Sequence, residues 1–155
     1  VHPEHLAGQR LPKEMIHNDI WEDRFKDINN LEKYLVRNGY IVLKFFMNIS
    51  KGEQKKRFLA RIDDPSKNWK ISRSDMTERA RWSDYMECFE DMLRKTSTKQ
   101  APWYVIPANH KWFAHLAVAD ILVQHLEKLD LKYPKVTKDQ EKLLVEMKRT
   151  LVRER

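Results

Sequence analysis

The sequence predicts an α/β fold, an open doubly wound parallel sheet of which these 155 residues carry only about two strands and five helices. Three observations predict it. Two short apolar runs rich in β-branched and aromatic residues are separated by segments of helical periodicity, the alternation expected when helices cover both faces of a sheet. The first run, Tyr40 to Met47, is nearly continuously apolar, as in a strand covered on both sides. Two parallel strands cannot by themselves form a sheet on which five helices pack, so the segment reads as part of a larger fold.

Residues 1–18 carry Pro3, Gly8 and Pro12 and read as an irregular approach. The chain opens on Val1-His2-Pro3-Glu4 without a Met, as if cut from something longer. A helix is expected from about Asp19 to Arg37, where Trp21, Phe25, Ile28, Leu31 and Leu35 recur at three- and four-residue steps. Asn38-Gly39 ends it, since glycine takes the left-handed cap cheaply. The first strand follows, with Lys44 inside it, placed to reach a cleft or pair with a buried carboxylate. Ser50 and Glu53 form a capping box that starts a helix at Lys51, ending near Arg61 before Asp63-Asp64-Pro65. A polar hinge leads to one helix from Ser72 to the Thr96-Ser97-Thr98 break. Trp103 to Ile106 is the second strand, closed by Pro107. Helices from about Asn109 to Leu129 and from Lys138 to Arg155 complete the order α-β-α-α-β-α-α, the last opened by a Thr137/Gln140 capping box.

Composition narrows the function. Apolar residues at 41% provide a core, while Gly (3) and Pro (6) are too few for a collagen-like or linker chain. Thirty Lys and Arg against 23 acids give a formal charge of +7, which favours a polyanionic partner. The single Cys88 rules out an internal disulfide framework and fits a reducing, cytoplasmic setting; among Met86, Phe89 and Met92 it is expected to be a packed thiol. No apolar run approaches the ~20 residues of a membrane span. Neither G-x-x-x-x-G-K-[ST] nor G-x-G-x-x-G occurs, and no nucleophile elbow is present. His2 and His5, or His110 and His115, have no cysteine partners, so no metal ligands are assigned. Asp19, Asp23 and Asp27 share a helical face and are expected to be solvated or salt-bridged. Trp69, Trp103 and Tyr104 are expected to pack in a core rather than stack on a base.

Basic residues crowd one stretch. Lys51, Lys55, Lys56, Arg57 and Arg61 lie on one short helix opposed only by Glu53, and Lys67, Lys70, Arg73, Arg79 and Arg81 follow. Arg forks grip phosphate oxygens with paired hydrogen bonds, which favours Arg57, Arg61, Arg73 and Arg79 as close contacts. Lys111 follows the second strand, where α/β sheets gather their ligands. For any single one of these residues, a solvated face is the ordinary alternative.

Three stretches resemble the polyphosphate kinase 2 family: Ile20 to Leu35 (IWEDRFKDINNLEKYL), Leu43 to Ser72 (LKFFMNISKGEQKKRFLARIDDPSKNWKIS) and Ala101 to Val118 (APWYVIPANHKWFAHLAV). The resemblance covers roughly residues 1–134. It implies a P-loop kinase-like doubly wound sheet, with residues 1–134 its C-terminal part, residues 50–95 a helical lid, and residues 135–155 a separate C-terminal helix. It implies magnesium-dependent phosphoryl transfer between inorganic polyphosphate and an adenine nucleotide (ADP, AMP or ATP). Arg57 and Arg61 would be catalytic, and Lys51, Lys55, Lys56, Lys70, Arg73, Arg79 and Lys111 would bind substrate. The family's Walker motifs precede the matched part, so the chain alone is expected to be inactive. A homo-oligomer is expected. Leu31 stands for a usual Phe, Gly52 for a helix-favouring residue and Asn109 for a usual Asp. The competing classes are a basic nucleic-acid-binding module, for which no helix-turn-helix, zinc-finger or RNP signature speaks, and a non-catalytic assembly protein whose open sheet edges would drive association.

Overall fold

A computed structural model describes residues 1–154, apart from the side chain of Lys13; the expected end of the last helix, Arg155, lies outside the described residues. Among these residues the order is a 3-10 turn (Pro3–Gln9), a second (Lys13–Met15), α1 (Ile20–Arg37), β1 (Lys44–Asn48), α2 (Lys51–Ile62), a 3-10 turn (Asn68–Lys70), α3 (Arg73–Ala80), α4 (Trp82–Thr96), β2 (Trp103–Pro107), α5 (Lys111–Glu127) and α6 (Lys138–Arg153). The chain divides into two compact units, Val1–Val118 and Ala119–Arg155, with the boundary inside α5.

β1 and β2 pair in parallel, with Lys44 opposite Trp103 and Asn48 opposite Pro107. The mixed α/β class with parallel strands is as the sequence predicts. β1, however, begins at Lys44 rather than Tyr40, and Tyr40 and Ile41 are exposed. Nor is it sealed on both faces: its first three residues are half-buried and Met47 is exposed. Two strands leave one edge of each without a partner strand among the described residues. The expected single helix over 72–96 is two helices, broken at Arg81 (φ −89°, ψ 26°). Gly39 takes φ +86° behind α1 as the sequence predicts, letting the amides of Gly39 and Tyr40 return to Val36 and Leu35.

The first unit is organised around a half-buried polar node. Lys44 Nζ donates to Glu32 Oε2 at 2.7 Å and to the Thr96 carbonyl at 2.6 Å. Both charged side chains are 11% exposed. The ammonium lies 5.2 Å from the centre of the Trp103 ring, whose Nε1 donates to Thr96 Oγ1 at 2.9 Å. One lysine thus joins β1, α1, α4 and β2, the carboxylate pairing that the sequence allowed for it. α1 also meets α4 where Asn29 Nδ2 donates to the Lys95 carbonyl at 2.9 Å, while the Lys95 ammonium bonds Glu22 and lies over Phe25. Phe46 packs on Phe89 with ring centres 5.0 Å apart.

Two packing expectations are overturned. Trp69 is 78% exposed, because its short 3-10 turn carries it out of the helical layer, with its Nε1 bonded only to the Ser66 carbonyl three residues back. Cys88 is exposed, one step along α4 from the inward-facing Phe89. Asp23 bonds Lys26 at 2.9 Å, so the salt-bridged reading of that face holds.

The Lys44 node predicts that Glu32→Ala, which strands the lysine in a largely dehydrated site, lowers stability by roughly 3 kcal/mol in urea unfolding. A change under about 0.5 kcal/mol would show the pair to be solvated.

Candidate functional site

The basic face is built from the turns at the C-terminal ends of the two strands. Ser50 leaves β1 in an extended conformation and accepts the Glu53 amide at 3.1 Å, so the capping residue begins α2 as the sequence predicts. The Ser50 amide donates in turn to Asn109 Oδ1 at 2.9 Å, and the Ala108 amide to the Asn48 carbonyl at 2.8 Å. The start of α2 and the approach to α5 are therefore stitched together. Lys51 and Lys111, the first residues of the two helices, arise from the same edge of the sheet.

Arg57 completes this clasp. Its Nε donates to Glu53 Oε1 at 2.8 Å, and its Nη2 to the Ala108 carbonyl at 2.6 Å. Arg79, from α3, also holds α2: Nη1 donates to the Lys51 carbonyl at 2.8 Å and to Gln54 Oε1 at 2.7 Å. Both guanidiniums are half-buried and brace the helix that carries the other cations. Lys51, Lys55 and Lys56 are exposed on α2. Arg61 lies over Phe58, 5.8 Å from its ring centre. Lys70 is exposed and lies 5.2 Å from the Trp69 ring centre; Arg73 is exposed at the start of α3. The α2–α3 turn is pinned at Asp64. The Lys67 ammonium, the Ser66 hydroxyl and the Ser66 amide all donate to its carboxylate, which holds it down at about 2.

A cleft of about 240 Å³ opens between α2, α3 and α4. Phe58, Trp82 and Phe89 form its apolar wall, with Asp75, Glu78 and Arg79 at the rim. Asp75 is spent on the Ser72 amide at 2.8 Å. Glu78 accepts from Tyr85 Oη at 2.6 Å and pairs with His2 Nε2 at 2.7 Å. These contacts hold the Glu78 carboxyl below the usual carboxylate range and the Tyr85 phenol above its ordinary value.

The predicted basic residues do come together on α2, α3 and the start of α5, but two of them, Arg57 and Arg79, are engaged with the protein itself. Glu53 as the partner of Arg57 was legible at i,i+4 spacing. The His2–Glu78 and Arg79–Gln54 contacts carried no sequence signal, because they join segments 76 and 25 residues apart. His2, Glu4 and His5 bring three metal-type ligand atoms within 4.8 Å of one another. The Arg81 guanidinium stands 3.1 Å from His2 Nδ1, and a fixed positive charge there opposes a cation; the cluster is an ion-pair network.

Open α/β sheets bind their ligands beyond the C-terminal ends of their strands, and there this chain carries clasped helices with exposed lysines. Comparison with known proteins makes this specific. The family described as Polyphosphate kinase 2 (PPK2) matches residues 9–134, and the chain belongs to it. An ADP-polyphosphate phosphotransferase of Rhodopseudomonas palustris is 42% identical over 154 residues, covering 99% of this chain and 53% of that protein. An uncharacterized protein in the chlN 3′ region of Leptolyngbya boryana is 58% identical over 132 residues, covering 85% of this chain and 97% of that one. The crystal structure of polyphosphate kinase 2 from Arthrobacter aurescens TC1 superposes with a TM-score of 0.78 at 42% identity, over 94% of this chain and 50% of that chain. The chain thus spans about half the length of the polyphosphate phosphotransferases it matches.

Gly52 sits in the first turn of α2, where an added Cβ would meet only Ser50 Oγ at 3.8 Å. Gly52→Ala is predicted to stabilise the chain by about 0.5–1 kcal/mol, seen as a rise in Tm, by removing unfolded-state freedom without a clash. A fall in Tm would mean that the turn needs glycine.

Proposed function

We propose that this chain is the C-terminal, lid-bearing part of an enzyme that moves a phosphoryl group between inorganic polyphosphate and an adenine nucleotide, ADP, AMP or ATP. The observation that carries the reading is the clasp at the strand ends. It sets α2, with Lys51, Lys55 and Lys56 exposed, beside the start of α5 with Lys111. Phosphoryl transfer asks a protein for in-line positioning and for positive charge around the moving group, with little covalent chemistry. In this reading Arg61 is catalytic, and Lys51, Lys55, Lys56, Lys70, Arg73 and Lys111 bind the phosphate chain. Arg57 and Arg79 brace α2 and α3, and each keeps N–H donors beyond those bonds for phosphate oxygens. Closure of α2–α4 over the substrates would exclude water.

Magnesium belongs to the same proposal. Near the α2 cations Glu53 is held by Arg57 and Asp75 by the Ser72 amide, so phosphate oxygens of the substrates would hold the ion, which would supply positive charge to the transferred group. The phosphate loop is assigned to the N-terminal half that the longer relatives carry. The free strand edges are where it docks. The apolar stripe of α6, with Leu144, Met147 and Leu151 all more than half exposed, suits a homo-oligomer contact. No helix among the described residues is long and apolar enough to cross a membrane, and the exposed Cys88 is compatible with a cytoplasmic enzyme.

The test joins the N-terminal half of the Rhodopseudomonas palustris relative to residue 1 and measures ATP formed from ADP, polyphosphate and magnesium. The fusion is predicted to be active, its Arg61→Ala variant at least about tenfold slower, and the present chain alone inactive. A folded fusion without polyphosphate-dependent phosphorylation, or a chain that prefers DNA or RNA to polyphosphate in competition, would contradict the reading.

A further inference from the structure

The break between α3 and α4 is tied to the start of the chain by one imidazole with more partners than it can serve at once. His2 Nε2 lies 2.7 Å from Glu78 Oε2, on the last full turn of α3. His2 Nδ1 lies 2.8 Å from Glu4 Oε1 and 3.1 Å from Arg81 Nη1. A carboxylate only accepts and a guanidinium only donates. Nδ1 can therefore satisfy Glu4 when it carries a proton, or Arg81 when it does not, but never both. Arg81 is the residue at which the two helices part, and it also donates to the Val1 carbonyl and, through Nε, to Asp84 at 3.2 Å.

We propose that His2 is a proton-operated switch on the α3–α4 elbow. With Nδ1 protonated it links Glu4 to Glu78 across the N-terminal turn; with Nδ1 bare it accepts from Arg81 and releases Glu4. Glu78 keeps Nε2–H in both states, so the elbow stays anchored while the turn Pro3–Gln9 is held or let go. The proton passes between Nδ1 and solvent, to which the side chain is 20% exposed. The other groups facing the ring are His5, with ring centres 5.1 Å apart, and Tyr85, at 6.2 Å.

The electrostatics run the same way. Hydrogen bonds to Glu4 and then Glu78 raise the His2 pKa above its ordinary 6.5, and the same contact with His2 lowers the Glu4 carboxyl. A raised folded-state value means that the tie is fully present below about 6.5 and is lost as pH rises through the His2 midpoint. The inference goes beyond the phosphotransfer reading and stands or falls without it.

The experiment follows amide exchange of residues 3–9 (Pro3, which has no N–H, excepted) and of α3, corrected for intrinsic rates, together with the imidazole nitrogen shifts of His2, between about pH 5 and 8. Protection of residues 3–9 is predicted to fall about two- to fivefold with rising pH, the scale of an exposed ion pair, while α3 holds. His2→Gln should abolish that pH dependence. Glu4→Gln should move the His2 midpoint down and Arg81→Gln should move it up, since one group favours the proton and the other opposes it. These two variants keep the test alive if His2→Gln does not fold. A midpoint indifferent to both, or moved the same way by both, would overturn the switch, as would protection of residues 3–9 that is flat with pH in the unsubstituted chain.

Discussion

The direction in which α2 leaves the sheet is the constraint on which the rest of the first unit depends. Parallel strands place their outgoing turns at the same end, and here those turns are bonded to each other rather than only to solvent. A side-chain oxygen on one turn receives the first amide of the other, Asn109 Oδ1 from Ser50, at 2.9 Å. The backbone bond from Ala108 to Asn48 extends the ladder one step beyond the strands. Arg57 closes the arrangement from the side of α2. With its first turn fixed, α2 delivers its cations to one place, and α3, held to α2 by Arg79, follows. The opposite end of the same strand pair is fixed by Lys44, which spends its charge on Glu32 and the Thr96 carbonyl. One end of the strand pair thus holds a largely buried ion pair, and the other carries the exposed lysines of α2 and Lys111.

This arrangement separates two jobs that basic residues do. Arginine supplies five donors in a planar fork, so it can hold two carbonyls or a carbonyl and a carboxylate at once; Arg57 and Arg79 use that capacity on the protein itself. The lysines of α2 are exposed, compact charges on flexible stems that, on the proposed reading, would meet a mobile polyanion. A phosphate chain with no fixed shape is better served by movable charges on a braced helix than by a rigid fork at every position.

Much of the fold was legible in the sequence. Apolar periodicity placed α1, the Thr137 capping box placed the start of α6, and Gly39 marked the end of α1; at α2 the Ser50 cap forms, but the expected box does not close, because the Glu53 side chain bonds Arg57 and the Ser50 amide bonds Asn109. The break at Arg81 was not legible. Neither Gly nor Pro marks it, the two-residue step from Ala80 to Trp82 shifts the apolar positions only once, and the bonds that settle the elbow come from Val1 and His2, some 80 residues earlier. The exposed face of β1 was misread for a related reason. A continuous apolar run reports what a strand is suited to meet, and two strands alone do not cover it. Charge counting could not tell a bracing arginine from a free one, because what distinguishes them is contact with the carbonyls of Ala108 and Lys51.

The most direct measurement of the strand-end clasp is amide exchange at Ser50 and through the first turn of α2 in an Asn109→Ala variant. If the clasp fixes α2, the Ser50 amide is protected in the parent chain, and its loss of protection in the variant spreads to Lys51–Gln54 while β1 and α1 remain unchanged. Exchange at Ser50 that is already fast in the parent, or a variant in which α2 keeps its full protection, would contradict the account.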